Sequence, residues 1–70
     1  MSERVFEWDG GSIVQHSDKQ AYEICNRQGL YRGTIWTGGD GAGPWQIYEA
    51  CALTAADFRA IAEFMEGLEA

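Results

Sequence analysis

The feature that most constrains the fold is a pair of β-prone runs separated by a glycine-rich segment. Tyr31 to Thr37 and Trp45 to Cys51 are rich in aromatic and β-branched residues, and the segment between them, 38–43, is GGDGAG. This pattern predicts a β-hairpin with a long, flexible loop, because strand-forming runs separated by turn residues pair with each other. The hairpin is the largest sheet-forming unit in the chain, so the other elements must pack on it.

Two registers of this central hairpin are compatible with the sequence. The favoured register builds one apolar face from both runs, with Tyr31, Ile35, Trp45, Ile47 and Cys51. The alternative pairs Trp36 with Trp45 and Arg32 with Glu49 directly, which gains an aromatic contact and an ion pair. Gly33 inside the first run indicates a bulge or the close approach of a helix.

The amino-terminal part of the chain predicts a second, shorter hairpin. Arg4 to Trp8 and Ser12 to His16 have high β-propensity, and they flank Asp9-Gly10-Gly11, a turn sequence that favours positive φ angles. A single strand bent at the two glycines would use the same residues. We expect the hairpin.

A first helix is predicted after this hairpin. Ser17-Asp18-Lys19-Gln20 has the form of a capping box, in which serine and glutamine side chains bond to orphan backbone amides. The helix would run from Asp18 to Gln28 and end at Gly29, which accepts the left-handed conformation that terminates helices. Its buried side would carry Ala21, Tyr22, Ile24 and Cys25.

A second helix is predicted after Leu53, and its start is the clearest local signal in the chain. Thr54 is a capping residue, Asp57 follows three positions later, and Leu53 is placed to pack against Phe58 as a hydrophobic staple. Gly67 is the expected end. The predicted buried stripe recurs at helical spacing and consists of Phe58, Ile61, Ala62, Met65 and Leu68.

These elements predict one α+β domain over residues 1–70. About four short strands in two hairpins would form a small antiparallel sheet with two helices, in the order β-β-α-β-β-α. Seventy residues bury only about 60% of the surface that the unfolded chain exposes, so the stability is marginal and a deep cleft is hard to build.

The net charge of the chain limits the classes of molecule that it is expected to bind. Eleven Asp and Glu against five Lys and Arg give a net charge of −6. Such a charge disfavours direct binding to nucleic acid and to anionic membranes, and it favours a protein partner with a basic surface. The sequence has no signal segment and no membrane-spanning apolar run, so we expect a soluble, cytoplasmic protein.

No catalytic, metal or cofactor motif is found. Cys25 and Cys51 are expected to be buried, free, structural thiols, and with His16 they are too few ligands for a closed zinc site. The glycine loop lacks the Gly-Lys-Ser/Thr of a P-loop, and Asp40 alone would not hold calcium. We therefore expect a protein that is not an enzyme and has no cofactor.

The candidate partner-binding residues are carboxylates and aromatic rings. Glu63, Glu66 and Glu69 recur at spacing three on the last helix, where residues three apart are neighbours, and they form either a solvated face or an acidic docking ridge. The remaining candidates are two aromatic anchors and two acids nearer the central hairpin: Trp36, Trp45, Asp40 and Glu49.

The sequence is compatible with three classes of function, and a small enzyme is the least favoured of them. The first is an acidic binding protein that inhibits a larger protein by docking on its basic, nucleic-acid-binding surface. In size and charge alone the chain resembles phage-encoded inhibitors such as anti-CRISPR and anti-restriction proteins, which implies a DNA mimic acting on a nucleic-acid-processing complex. The alternative is a housekeeping interaction module or regulatory subunit with an aromatic interface, which a homodimer would also satisfy.

Overall fold

A computed structural model describes residues 3–15, 21–37 and 44–69. Within these residues, five antiparallel strands form one sheet in the order β1-β2-β3-β4-β5, and one helix follows them. The elements are β1 Glu3–Trp8, β2 Gly11–Gln15, β3 Ala21–Asn26, β4 Tyr31–Trp36, β5 Gln46–Tyr48 and α1 Ala55–Glu69. The α+β class is confirmed. The sheet has five strands instead of four, because β3 forms where the first helix is predicted, so the order is β-β-β-β-β-α.

One face of the sheet, here called the inner face, carries the core. Ile13, Ile24 and Ile35 lie on it, and with Ile61 of α1 they are completely buried. Ile13 pairs with Ile24 across β2 and β3, while Ile35 pairs with Ile47 across β4 and β5. Partly buried residues pack around them: Phe6, Trp8, Tyr22, Trp45, Ile47, Leu53, Phe64, Met65 and Leu68. The opposite face is called the outer face.

The segment predicted as the first helix is the central strand β3. Tyr22 and Ile24 lie on the inner face and alternate with Glu23 and Cys25, which is the period of a strand. β3 is hydrogen-bonded to β2 on one side and to β4 on the other. A short helix relies on packing for its stability, so pairing on both sides overrides the local helix signal. The predicted cap at 17–20 lies outside the described residues.

Gly29 has the left-handed conformation expected of it, with φ 84, but it ends a hairpin turn and not a helix. The Gly29 amide donates to the Asn26 carbonyl oxygen at 2.9 Å, and the Asn26 amide donates to the Leu30 carbonyl oxygen at 2.9 Å. The Asn26 side-chain oxygen accepts from the amides of Gln28 and Leu30, each at 2.9 Å. The turn between β3 and β4 is therefore closed by its own asparagine.

The first hairpin is confirmed, with Trp8 opposite Gly11. Gly10 and Gly11 do not have the positive φ angles expected there. Glycine is needed at both positions because a side chain would collide with neighbouring atoms. A Cβ on Gly10 would overlap the Asp57 carboxylate, and a Cβ on Gly11 would overlap the carbonyl oxygen of Cys25. The turn thus fits closely against the start of α1 and against β3.

The central hairpin follows the favoured register only in part. Ile35 pairs with Ile47 and Trp36 with Gln46, so the alternative that paired Trp36 with Trp45 and Arg32 with Glu49 is wrong. A register shift between Ile24 and Cys25 places a bulge in β4. The bulge reverses the alternation, so Tyr31 pairs with Cys25 and lies on the outer face, not on the predicted apolar face.

Cys51 does not belong to the sheet. β5 ends at Tyr48, and the chain then turns through Glu49 and Ala52, which have φ angles of 57 and 55. The Cys51 amide donates to the carbonyl oxygen of Arg32 at 3.0 Å, but its side chain is exposed. Both cysteines are free as expected; burial is confirmed for Cys25 and wrong for Cys51.

Helix α1 begins as predicted and buries a rotated face. The Asp57 amide donates to Thr54 Oγ1 at 3.2 Å, and the Thr54 amide donates to Asp57 Oδ2 at 2.9 Å, which forms the reciprocal cap. The helix continues through Gly67 to Glu69, past the predicted end. The residues that pack on the core are Ile61, Phe64, Met65 and Leu68, while Phe58 and Ala62 of the predicted stripe are exposed.

A hydrogen bond to the first hairpin explains this rotation. Trp8 Nε1 donates to Asp57 Oδ1 at 2.8 Å, and the space above Gly10 accommodates the carboxylate. With Asp57 turned toward the sheet, Ile61 and Phe64, which follow at helical spacing, also face it. Phe64 packs on Phe6 and Tyr22, with ring centroids 5.5 Å and 5.1 Å apart.

Candidate partner-binding surfaces

The first candidate surface, here called the helix surface, lies on the side of α1 that does not pack on the sheet. It consists of exposed residues that recur along the helix: Phe58, Ala62, Glu63, Glu66 and Glu69. The three glutamates occupy the predicted acidic ridge. Because the helix buries a rotated face, an aromatic ring is also exposed on α1: the Phe58 side chain, in the first turns of the helix, is 43% exposed.

The glutamates of the helix surface are not neutralised by described cations. The ion pair found in the described part of the chain joins Arg4 and Glu7 at 3.3 Å, on β1 of the first hairpin. The helix carries one basic residue, Arg59, which is exposed and forms no ion pair with described residues. The exposed side of α1 therefore carries three carboxylates without an ion pair to a described residue, together with one exposed aromatic ring.

The second candidate surface, here called the aromatic cluster, lies on the outer face and consists of Tyr31, Trp36 and Tyr48. The rings of Trp36 and Tyr48 meet edge to face with centroids 5.6 Å apart. Thr34 of β4 lies opposite Tyr48 of β5, and its hydroxyl is hydrogen-bonded to the hydroxyl of Tyr31. Tyr48 also donates to Gln46 Oε1 at 3.0 Å. Trp36 and Tyr48 are thus in ring contact, and Tyr31 is linked to this pair through Thr34.

Glu49 borders this cluster. It is exposed, and its backbone is left-handed with φ 57, a conformation that is uncommon for residues other than glycine. The Tyr31 hydroxyl donates to Glu49 Oε2 at 3.4 Å. The turn after β5 thus places a carboxylate at the rim of the aromatic cluster.

The structure does not bring all the predicted partner-binding residues together. Trp36 lies on the outer face with Glu49 at its rim, whereas Trp45 lies on the inner side with its ring 5.5 Å from that of Tyr22. The predicted pair of tryptophan anchors is therefore divided between the two faces. Asp40 lies outside the described residues, and the acidic ridge lies on the helix that covers the inner face.

Sequence reasoning missed Phe58, Tyr31 and Tyr48 as surface residues. The helical spacing of Phe58 with Ile61 and Ala62 predicts a place in the buried stripe, and only the packing of α1 distinguishes the two faces. Tyr48 could have been placed beside Trp36 by strand alternation once the register was known. Tyr31 could not, because the bulge in β4 reverses its side.

A polar cleft of about 430 Å³ lies at the end of the outer face near both turns. Its charged lining residues are Arg4, Glu7, Asp9 and Arg27, so its positive and negative charges are balanced. The nearby Cys25 has a pKa raised by burial and, less strongly, by Glu23, so its thiol is held in the protonated form. Among the described residues that line this cleft, no side-chain nucleophile is hydrogen-bonded to a base.

Over residues 3–15, 21–37 and 44–69, no group of three or more His, Cys, Asp and Glu side chains is arranged to hold a metal ion. Helix α1 is too short and too polar to cross a membrane. Comparison of the chain with protein-family models, with curated proteins and with solved structures finds no match.

Proposed function

We propose that this protein is a small, acidic, non-enzymatic inhibitor whose helix surface docks on a basic, nucleic-acid-binding surface of a larger protein. The observation that carries the proposal is the composition of the helix surface. Glu63, Glu66 and Glu69 are exposed without an ion pair to a described residue, and Phe58, near the start of the same helix, is exposed as well.

The carboxylates and the ring would have different kinetic effects. A net charge of −6 accelerates association with a basic surface, and screening by salt weakens this effect over a Debye length of about 8 Å at physiological ionic strength. An aromatic side chain that fills a pocket acts mainly on the dissociation rate. Glu63 and Glu66 are therefore expected to control the on-rate and Phe58 the off-rate.

The test begins with the partner itself, purified after capture from native cells and identification by mass spectrometry. The protein should displace labelled DNA or RNA from this partner while binding none itself. If the partner binds nucleic acid and this protein simultaneously without loss of affinity, the inhibitor proposal fails.

Charge reversal then tests whether the helix surface makes the contact. Glu63→Lys with Glu66→Lys changes the net charge from −6 to −2, because each substitution adds two positive charges, and it leaves the packed side of α1 intact. The matched control is Glu3→Lys with Asp9→Lys, two exposed residues on the first hairpin with the same charge change. We expect slower association for the helix variant than for the control. Equal slowing would mean that only the net charge matters.

The aromatic cluster supports a second candidate function, an interaction module with an aromatic interface. Tyr31 is 41% exposed, and no described element covers the outer face. If this interface joins two copies of the chain, sedimentation equilibrium should show a dimer whose dissociation constant rises on Trp36→Ala. A monomer at all concentrations would remove the homodimer from consideration.

A further inference from the structure

We propose that the aromatic cluster and Glu49 bind an arginine or lysine side chain presented by an extended basic segment of a partner protein. The site is formed by Tyr31, Trp36 and Tyr48 on the outer face, with the Glu49 carboxylate at its rim. This inference shares with the proposed function the expectation of a basic partner, but it concerns a different surface, on the side of the sheet away from α1.

The rings are held in place before any ligand arrives. Trp36 and Tyr48 support each other edge to face, and the Tyr48 hydroxyl donates to Gln46 at 3.0 Å. The Tyr31 hydroxyl is engaged with Thr34 and with Glu49. Because these rings already have fixed positions, little conformational entropy would be lost when a side chain binds.

Charge and ring chemistry together select a cation. The faces of tryptophan and tyrosine rings carry negative potential, which attracts guanidinium and ammonium groups. Glu49 adds a full negative charge beside Tyr31. Arg32, the basic residue of β4, follows Tyr31 in sequence. Its guanidinium donates at 3.5 Å to the main-chain oxygen of Tyr31.

The same charge argues against a second copy as the occupant. Each copy carries a net charge of −6, so two copies repel each other at long range, whereas a basic segment is attracted. The helix cannot serve as an internal cover, since α1 packs on the inner face through Ile61, Phe64 and Leu68. An external basic segment is the occupant whose charge complements the site.

The experiment is an NMR titration of the ¹⁵N-labelled full chain with the peptide acetyl-Gly-Arg-Gly-amide. The matched probe is the same peptide with citrulline, which keeps the shape of arginine and removes its charge. We expect concentration-dependent shifts at the Trp36 indole and at Thr34, Tyr48 and Glu49 with arginine but not with citrulline. Equal shifts with both probes, no shifts, or shifts confined to α1 would overturn the proposal.

Two variants strengthen the assignment. Trp36→Leu and Glu49→Gln should each weaken binding of the arginine peptide by about two- to fivefold, the range for exposed cation–π and charge contacts. Glu49 is exposed, so Glu49→Gln should fold even if Trp36→Leu does not. Affinity unchanged in a folded Glu49→Gln variant would exclude the carboxylate. Shifts at these residues on concentrating the protein alone would assign the face to a second copy.

The outcome is separable from that of the proposed function. The Glu63→Lys and Glu66→Lys variant should bind the arginine peptide as the parent does, because its substitutions lie on α1. Loss of peptide binding in that folded variant would contradict a site on the outer face. The inhibitor proposal can fail in the displacement assay while the peptide titration succeeds, and the reverse also holds.

Discussion

The two faces of the sheet differ in how their side chains are held. On the inner face, Ile13, Ile24 and Ile35 have no exposed surface and are covered by α1. On the outer face, the aromatic cluster is only partly covered and its hydroxyl groups are tied by hydrogen bonds. The inner side chains are positioned by packing, whereas the outer ones are positioned by ring contacts and polar partners.

This difference indicates which face contributes stability and which is available for binding. Burying an aliphatic side chain contributes about 1.5 to 3 kcal/mol, and a small chain with a single core depends on each such contribution. Tyrosine and tryptophan have an apolar body and a polar atom, so they tolerate partial exposure and still present large contact area. Substitutions on the inner face should therefore cost more stability than substitutions on the outer face.

The largest effect is expected for an isoleucine of the inner face. Ile24→Ala should lower the free energy of unfolding by about 2 to 5 kcal/mol, because it leaves a cavity in a fully packed site. Val14→Ala, on the outer face opposite Glu23, is the comparison and should cost less than half as much. Urea denaturation measures both. Equal costs would show that the outer face is as tightly covered as the inner one.

A smaller effect is expected for the two phenylalanines of α1. Phe64→Ala should cost about 3 kcal/mol, because its ring packs on Phe6 and Tyr22. Phe58→Ala should change stability by no more than about 0.5 kcal/mol, because its side chain is 43% exposed. Thermal melts of the two variants compare them. A larger loss of stability for Phe58→Ala would show that Phe58 is buried, as the sequence predicts.

The smallest effect is expected for Asp57, which links α1 to the first hairpin, and it depends on pH. Hydrogen bonds from the Thr54 amide and from Trp8 Nε1 lower the pKa of Asp57 below its ordinary 3.8. A lowered folded-state pKa stabilises the fold above pH 3.8, and this contribution is lost as pH falls through the folded-state value. The stability gap between the parent and Asp57→Asn should therefore narrow in acid. A gap that stays constant into strong acid would contradict the role of the charge.

The parts of the fold that the sequence determined are those with a complete local signal. The start of α1 needs only Thr54 and Asp57, which are close in sequence and bond to each other. The first hairpin likewise depends on two short runs around Asp9 and Gly10. Exposure of Glu63, Glu66 and Glu69 follows from charge, since unpaired carboxylates are costly to bury.

Tertiary structure decided what local signals left open or indicated wrongly. The segment at Tyr22 to Cys25 is a strand because β2 and β4 supply hydrogen-bond partners on both sides. Tyr31 joins the aromatic cluster because a bulge shifts the register between β3 and β4, and Phe58 faces outward because Trp8 turns Asp57 inward. Each outcome depends on contacts between different elements, whose free energies outweigh the small differences in local propensity.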